Sequence, residues 1–226
     1  TLNSDELSEA VKLAKKNGVV IGEAMTIYHM PIFKELKKIL DSDELGRVNL
    51  ITANFGSFKP YDMSNRFFNR NLAGGAMLDI GVYALSFVRY FFNSSPNNTL
   101  SQVKYAPTGV DEQSGLLLMN DEGQMASVML SLHSKQPKRA MISCERGYIE
   151  IMEYPRAWEA KITDAESGES RLVKAGKNED ALWYEIEDME KSVSGEDCMH
   201  LDYTEDVMHL MTSFRQEWNM KYPEEM

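Results

Sequence analysis

From residue 99 to about residue 173 the chain reads as one strand after another, and no other feature limits its fold as much. Turn signals separate the strands at Asn120-Asp121-Glu122-Gly123, Arg146-Gly147 and Glu166-Ser167-Gly168, the chemistry that joins antiparallel neighbours. So long a meander predicts an α+β fold: a large, mostly antiparallel sheet with helices on one face. In residues 124–132 one parity holds Ala126, Val128, Leu130 and Leu132, a face for helices to cover. The other holds Met125, Ser127, Met129 and Ser131, and in the next strand Arg139, Met141 and Ser143 alternate with Ala140, Ile142 and Cys144. That second face has too little charge for solvent and too few branched aliphatics for a core. It predicts a homodimer or homotetramer built through the open sheet face. The alternative is a partly exposed sheet in a methionine-rich chain.

Helical periodicity brackets the meander. Asn3 caps a first helix with Glu6 completing a capping box; Leu7, Ala10, Val11 and Ala14 form its stripe, and Gly18 ends it. Residues 19–24 then read as a short buried strand, so the opening is half of a repeating α/β unit. Further helices are expected over residues 31–40, 76–92, 181–193 and 203–218, with a strand over 47–55 and an irregular loop over 59–72. The acidic run Glu185, Glu187, Asp188 and Glu190 reads as a solvated helix face.

The helix after Gly74-Gly75 is apolar nearly all round, so its one early carboxylate, Asp79, is expected to be buried. Tyr83 lies one turn on, on the same face. Two readings of the pair stand. A phenol and a carboxylate presented together can exchange a proton with a substrate hydroxyl or carbonyl. Equally, an Asp near a helix start caps it and a Tyr on a buried helix packs.

Composition excludes several functions. A net charge of −11 repels nucleic acid and anionic membrane, and no apolar run is expected to span a bilayer. Cys144 and Cys198 have no paired or metal-like spacing, which fits a reduced, cytoplasmic setting. The four histidines, His29, His133, His200 and His209, make no metal site by spacing. The first residues are polar and acidic rather than a secretory signal, and the chain begins without Met, as a piece of a longer protein would.

The stretch Leu72-Ala-Gly-Gly-Ala-Met-Leu-Asp-Ile-Gly-Val-Tyr83 resembles the central signature of the glucose–fructose oxidoreductase / inositol dehydrogenase / rhizopine catabolism family. Arg66-Phe67-Phe68-Asn69 precedes it at the family's distance, and the opening Lys-Lys-Asn-Gly-Val-Val-Ile with Glu23-Ala24-Met25 is similar to the segment after the family's Glu-Lys-Pro motif. The helix carrying Trp183-Tyr184-Glu185-Ile186-Glu187-Asp188-Met189 also resembles a family element. The resemblance implies that residues 1–24 are the last helix and strand of an NAD(P)-binding Rossmann domain. Residues 25–226 would be the substrate-binding and oligomerisation domain. It implies Tyr83 and Asp79 as catalytic residues, Arg66 and Asn69 at the substrate or, alternatively, stabilising their own loop, and Tyr28 and His29 near the nicotinamide. NAD or NADP would be the cofactor, held mainly by a domain this sequence lacks, since no Gly-x-Gly-x-x-Gly loop occurs in it. The expected reaction is hydride transfer to or from a sugar, polyol or dihydrodiol, with the fragment alone inactive. The rival is a sugar- or nucleotide-sensing or oligomerisation domain without turnover.

Overall fold

In the computed structural model, which describes residues 1–225, Asn3 opens helix α1 (Ser4–Asn17) by accepting the Glu6 N–H on Oδ1 at 2.9 Å. Glu6 does not return the bond to Asn3; its carboxylate accepts the Leu2 N–H at 2.7 Å, a capping box displaced by one residue. Gly18 ends the helix at φ +64°, in the left-handed region that glycine enters without Cβ strain. Leu7, Val11 and Ala14 are buried on one stripe.

Residues 19–24, expected as a strand, form none. Val19 and Val20 are exposed, and no strand among the described residues lies beside them. A strand persists only where a neighbour satisfies its N–H and C=O groups. Two helices follow, the single turn α2 (Thr26–His29) and α3 (Pro31–Asp41). Pro31 suits the first turn, where no N–H is required, and Ile32, Phe33 and Leu36 face the core.

Strand β1 (Val48–Gly56) leads through an irregular loop and a 3-10 turn (Arg70–Leu72) to a π-helical turn (Met77–Gly81) that continues as α4 (Val82–Phe91). The meander then runs β2 (Asn98–Tyr105), β3 (Asp111–Met119), β4 (Met125–Ser131), β5 (Arg139–Cys144), β6 (Gly147–Met152), β7 (Glu159–Asp164) and β8 (Ser170–Lys174). Helices α5 (Ala181–Val193) and α6 (Leu201–Glu217) follow. The eight-stranded sheet has the order β2-β3-β4-β1-β5-β6-β7-β8. Strand β1 enters the middle of the meander, parallel to β4 and antiparallel to β5, so one ladder departs from the antiparallel rule.

The inward parity is buried as its pattern predicts: Ala126, Val128 and Leu130 of β4, Ala140 and Ile142 of β5, Ile51 and Ala53 of β1. Helix α4 packs on β1 and β4 and against α6, with Leu85, Phe87, Val88 and Phe91 fully buried. Truncating Phe87 to Ala would cost about 3–5 kcal/mol in lost burial and cavity. The run Arg70–Phe91 is long and apolar enough by length and composition to cross a bilayer, which corrects the expectation that no segment qualifies. Here it is the core helix of the fold, mostly buried within it.

On the uncovered face Leu50, Leu100, Leu117, Met125, Met129 and Leu172 are all exposed. Ser131 is not part of that face: it is buried, and its hydroxyl accepts the His133 N–H. Helix α5 also departs from expectation. Glu185 and Asp188 are buried rather than solvated, because the helix turns them toward α2, with which it packs.

Candidate functional site

The helix that carries Asp79 and Tyr83 starts from a turn held on two sides. Gly75 sits at φ +125°, and a Cβ there would collide with the Asp111 carboxylate, so only glycine lets that side chain beneath the turn. Asp111 Oδ2 accepts the Met77 N–H at 2.6 Å, and the Tyr222 hydroxyl donates to the Gly74 carbonyl at 2.8 Å. Burial pushes the Asp111 carboxyl up to about 7, against the opposing pull of the Met77 N–H. The sequence signal for Asp111 is faint: two acids, Asp111-Glu112, at the start of a strand that ends in apolar residues.

From that turn the π-helical segment widens the helix by one residue, a local irregularity common at functional sites. The helix is not buried all round. Leu78, Asp79, Val82 and Tyr83 are half-buried, and Asp79 and Tyr83 line a groove of about 510 Å³, within the roughly 300–1,000 Å³ of small-molecule sites. Phe55, Ser57 and Lys59 come to this groove from β1 and the chain just after it, and Arg66 and Phe67 from the following loop. Lys138, Glu153, Pro155, Arg156 and Asn178 come from connections between later elements.

Asp79 does not stand without a partner: Arg66 lies 3.0 Å away, its guanidinium over the Phe67 ring at 4.2 Å. The Tyr83 ring packs 5.9 Å from Phe55, and its hydroxyl bonds to no protein group among the described residues. Asp79, Tyr83 and Arg66 are therefore together and open to a ligand. Asn69 is not. It is half-buried outside the groove, where its side chain accepts the Asn71 N–H at 2.9 Å and stabilises the loop.

Tyr28 and His29 are wholly buried, so neither presents an atom to a cofactor at the groove. All four residues of α2 are buried. Tyr28 stacks on Tyr90 at 6.2 Å, and His29 Nδ1 meets Asp188 Oδ2 at 2.9 Å. Burial lowers the His29 pKa, so the neutral ring donates to the carboxylate. Burial alone would raise Asp188, but Lys34 at 2.7 Å, Lys191 at 2.9 Å and His29 outweigh it and hold the carboxyl at about 2. This cluster serves the groove indirectly. Thr26, beside it on α2, donates to the Pro155 carbonyl at 2.6 Å, bracing the 3-10 turn that presents Arg156.

A C-terminal-domain model of the GFO/IDH/MocA family matches residues 33–150, just over half of the chain. A trans-1,2-dihydrobenzene-1,2-diol dehydrogenase of Xenopus tropicalis is 30% identical over 151 residues, 66% of this chain and 45% of that protein. An NADP-dependent scyllo-inositol 2-dehydrogenase of Bacillus subtilis is 30% identical over 194 residues, 82% of this chain and 57% of that protein. The chain thus spans about half the length of the curated relatives it matches. Among solved structures, an aldose-aldose oxidoreductase of Caulobacter crescentus complexed with glycerol superposes with a TM-score of 0.84 at 18% identity, over 97% of this chain and 68% of that one. A 3-ketoreductase of Actinomadura kijaniata in complex with NADP and TDP-benzene superposes at 0.81 and 16% identity, over 96% and 68%. These two show a shared fold. Together with the matched family model, the Gly74–Tyr83 segment lying inside it and the open mixed sheet identify this chain as a member of the GFO/IDH/MocA family.

Proposed function

We propose that this chain is the substrate side of an NAD(P)-dependent oxidoreductase acting on a hydroxyl of a sugar, polyol or dihydrodiol. The carrying observation is that Tyr83, half-buried, lines the groove that also holds the Asp79–Arg66 pair. The residues present fit one side of a nicotinamide site: they offer a proton-transfer group and a polar wall, but no glycine loop for a pyrophosphate. The dinucleotide is therefore held mainly by a preceding domain, to which residues 1–24 belong. Exposed Val19 and Val20, which have strand propensity but no ladder partner here, support that reading.

A bound nicotinamide would supply or accept the hydride. Tyr83 holds the proton at its hydroxyl oxygen and passes it to or from the substrate oxygen. Asp79, paired with Arg66, accepts hydrogen bonds from substrate hydroxyls and orients them, while Phe55 and Phe67 exclude water from the groove walls. In the full-length protein, Tyr83→Phe should lower turnover by at least ~10²-fold; near-normal turnover removes Tyr83 from the mechanism and returns the site to a sensing role.

The protein assembles as a homodimer or homotetramer through the uncovered sheet face, supported by its exposed Leu and Met side chains. Sedimentation at micromolar concentration should give a dimer or larger, and a monomer would reject the interface. Its two unpaired cysteines support a reducing, cytoplasmic setting.

A further inference from the structure

The charge around the groove runs against the charge of the chain. The protein carries −11 overall, yet the groove is lined by Lys59, Arg66, Lys138 and Arg156 with only Asp79 and Glu153 opposing them. Two of the cations are matched: Arg66 to Asp79 at 3.0 Å and Lys138 to Glu153 at 3.2 Å. Lys59 and Arg156 have no carboxylate within 4.0 Å among the described residues. Glu185 acts on Arg156 only from beyond that distance.

The backbone that carries each of these cations is anchored. The Lys59 ammonium rests 4.1 Å from the Phe67 ring centre, beside Arg66 on the same ring, and the Lys59 N–H is anchored on the Leu132 carbonyl at 2.9 Å. Arg156 stands on a 3-10 turn fixed by Thr26 on one side and by Asn178, whose amide donates to the Arg156 carbonyl at 3.0 Å, on the other. The positive charge left by the two unmatched cations of this concavity is offset when a ligand brings negative charge. A neutral polyol would leave that charge standing.

We infer that the substrate of this groove carries an anionic group, a carboxylate or a phosphate, which Lys59 and Arg156 hold while its reacting hydroxyl faces Tyr83. This rests on the oxidoreductase reading above and narrows it to acidic or phosphorylated sugars and polyols. An acidic sugar gains charge-assisted hydrogen bonds that its neutral counterpart lacks, worth roughly a factor of ten or more.

The test uses the full-length protein with D-glucose, D-glucuronate and D-glucose 6-phosphate as probes. The acidic or the phosphorylated sugar should exceed glucose in kcat/KM by at least roughly tenfold, and the preference should shrink with added salt. Lys59→Gln and Arg156→Gln should each reduce that ratio by about tenfold while the KM for the dinucleotide stays unchanged. A preference for glucose overturns the inference. So does an effect of the two substitutions confined to the dinucleotide KM, which would assign the cations to cofactor phosphates. Calorimetric titration with glucuronate and with inorganic phosphate separates the two readings. Anion binding that both substitutions weaken, without any turnover, would reject the oxidoreductase reading alone; absence of anion binding rejects the anion site.

Discussion

The groove before α4 and the cluster behind α2 are made of the same groups, carboxylates, cations and a tyrosine, and they end in opposite states. Around Asp188 the charges close on one another: Lys34, Lys191 and His29 all reach one buried carboxylate. In the groove Asp79 is matched by Arg66, but Lys59, Arg156 and the Tyr83 hydroxyl are left facing a cavity. Within the buried cluster three partners hold Asp188 at about 2 against the effect of burial, while burial lowers His29 and raises Tyr28. The capacity for chemistry in this fold tracks access to a ligand.

The largest effect that would break this contrast is on stability. Asp188→Ala leaves buried His29 and two ammonium groups without their carboxylate, and should cost about 3 kcal/mol in chemical denaturation. A loss under about 1 kcal/mol would make the cluster incidental. Its pH signature is fixed in sign. The folded Asp188 carboxyl lies below its ordinary 3.8, so its stabilisation is full above that value and is lost as pH falls toward about 2. The wild-type protein should show this acid loss more steeply than Asp188→Ala.

A smaller effect sharpens the account of the site helix. The folded Asp111 carboxyl lies above its ordinary 3.8, at about 7. Its contribution to stability is therefore full below 3.8 and is lost as pH rises through about 7. Asp111→Asn keeps an acceptor for the Met77 N–H and removes this titration. Denaturation midpoints at about pH 5 and about pH 8 should fall more for the wild type than for the variant. Equal slopes would mean that the Gly74–Gly75 turn does not bury an ionisable cap.

The elements with strong local periodicity were legible in advance. Helix α5 has its expected bounds, the turns at residues 120–123, 146–147 and 166–168 join neighbouring strands, and the buried and open parities of β4 hold for all but Ser131. What depends on distant partners was not. The pairing of β1 with β4 joins residues about 75 apart, such as Leu50 and Met125, and no local pattern records it. Residues 19–24 carry strand propensity without a strand beside them. The face of α5 that holds Glu185 and Asp188 reads as solvated until α2 is packed against it. At the site, Asp79 and Tyr83 share one helix and were found from spacing and resemblance. Lys138, Arg156 and Asn178 come from separate connections that only the folded chain brings together.

Tyr83 and Tyr28 offer the most direct comparison: one hydroxyl faces the groove, the other is buried without a partner. Turnover of the full-length protein with Tyr83→Phe and with Tyr28→Phe should be measured side by side. The account predicts a loss of at least ~10²-fold for the first and less than about tenfold for the second. Equal losses, or the larger loss at Tyr28, would contradict it.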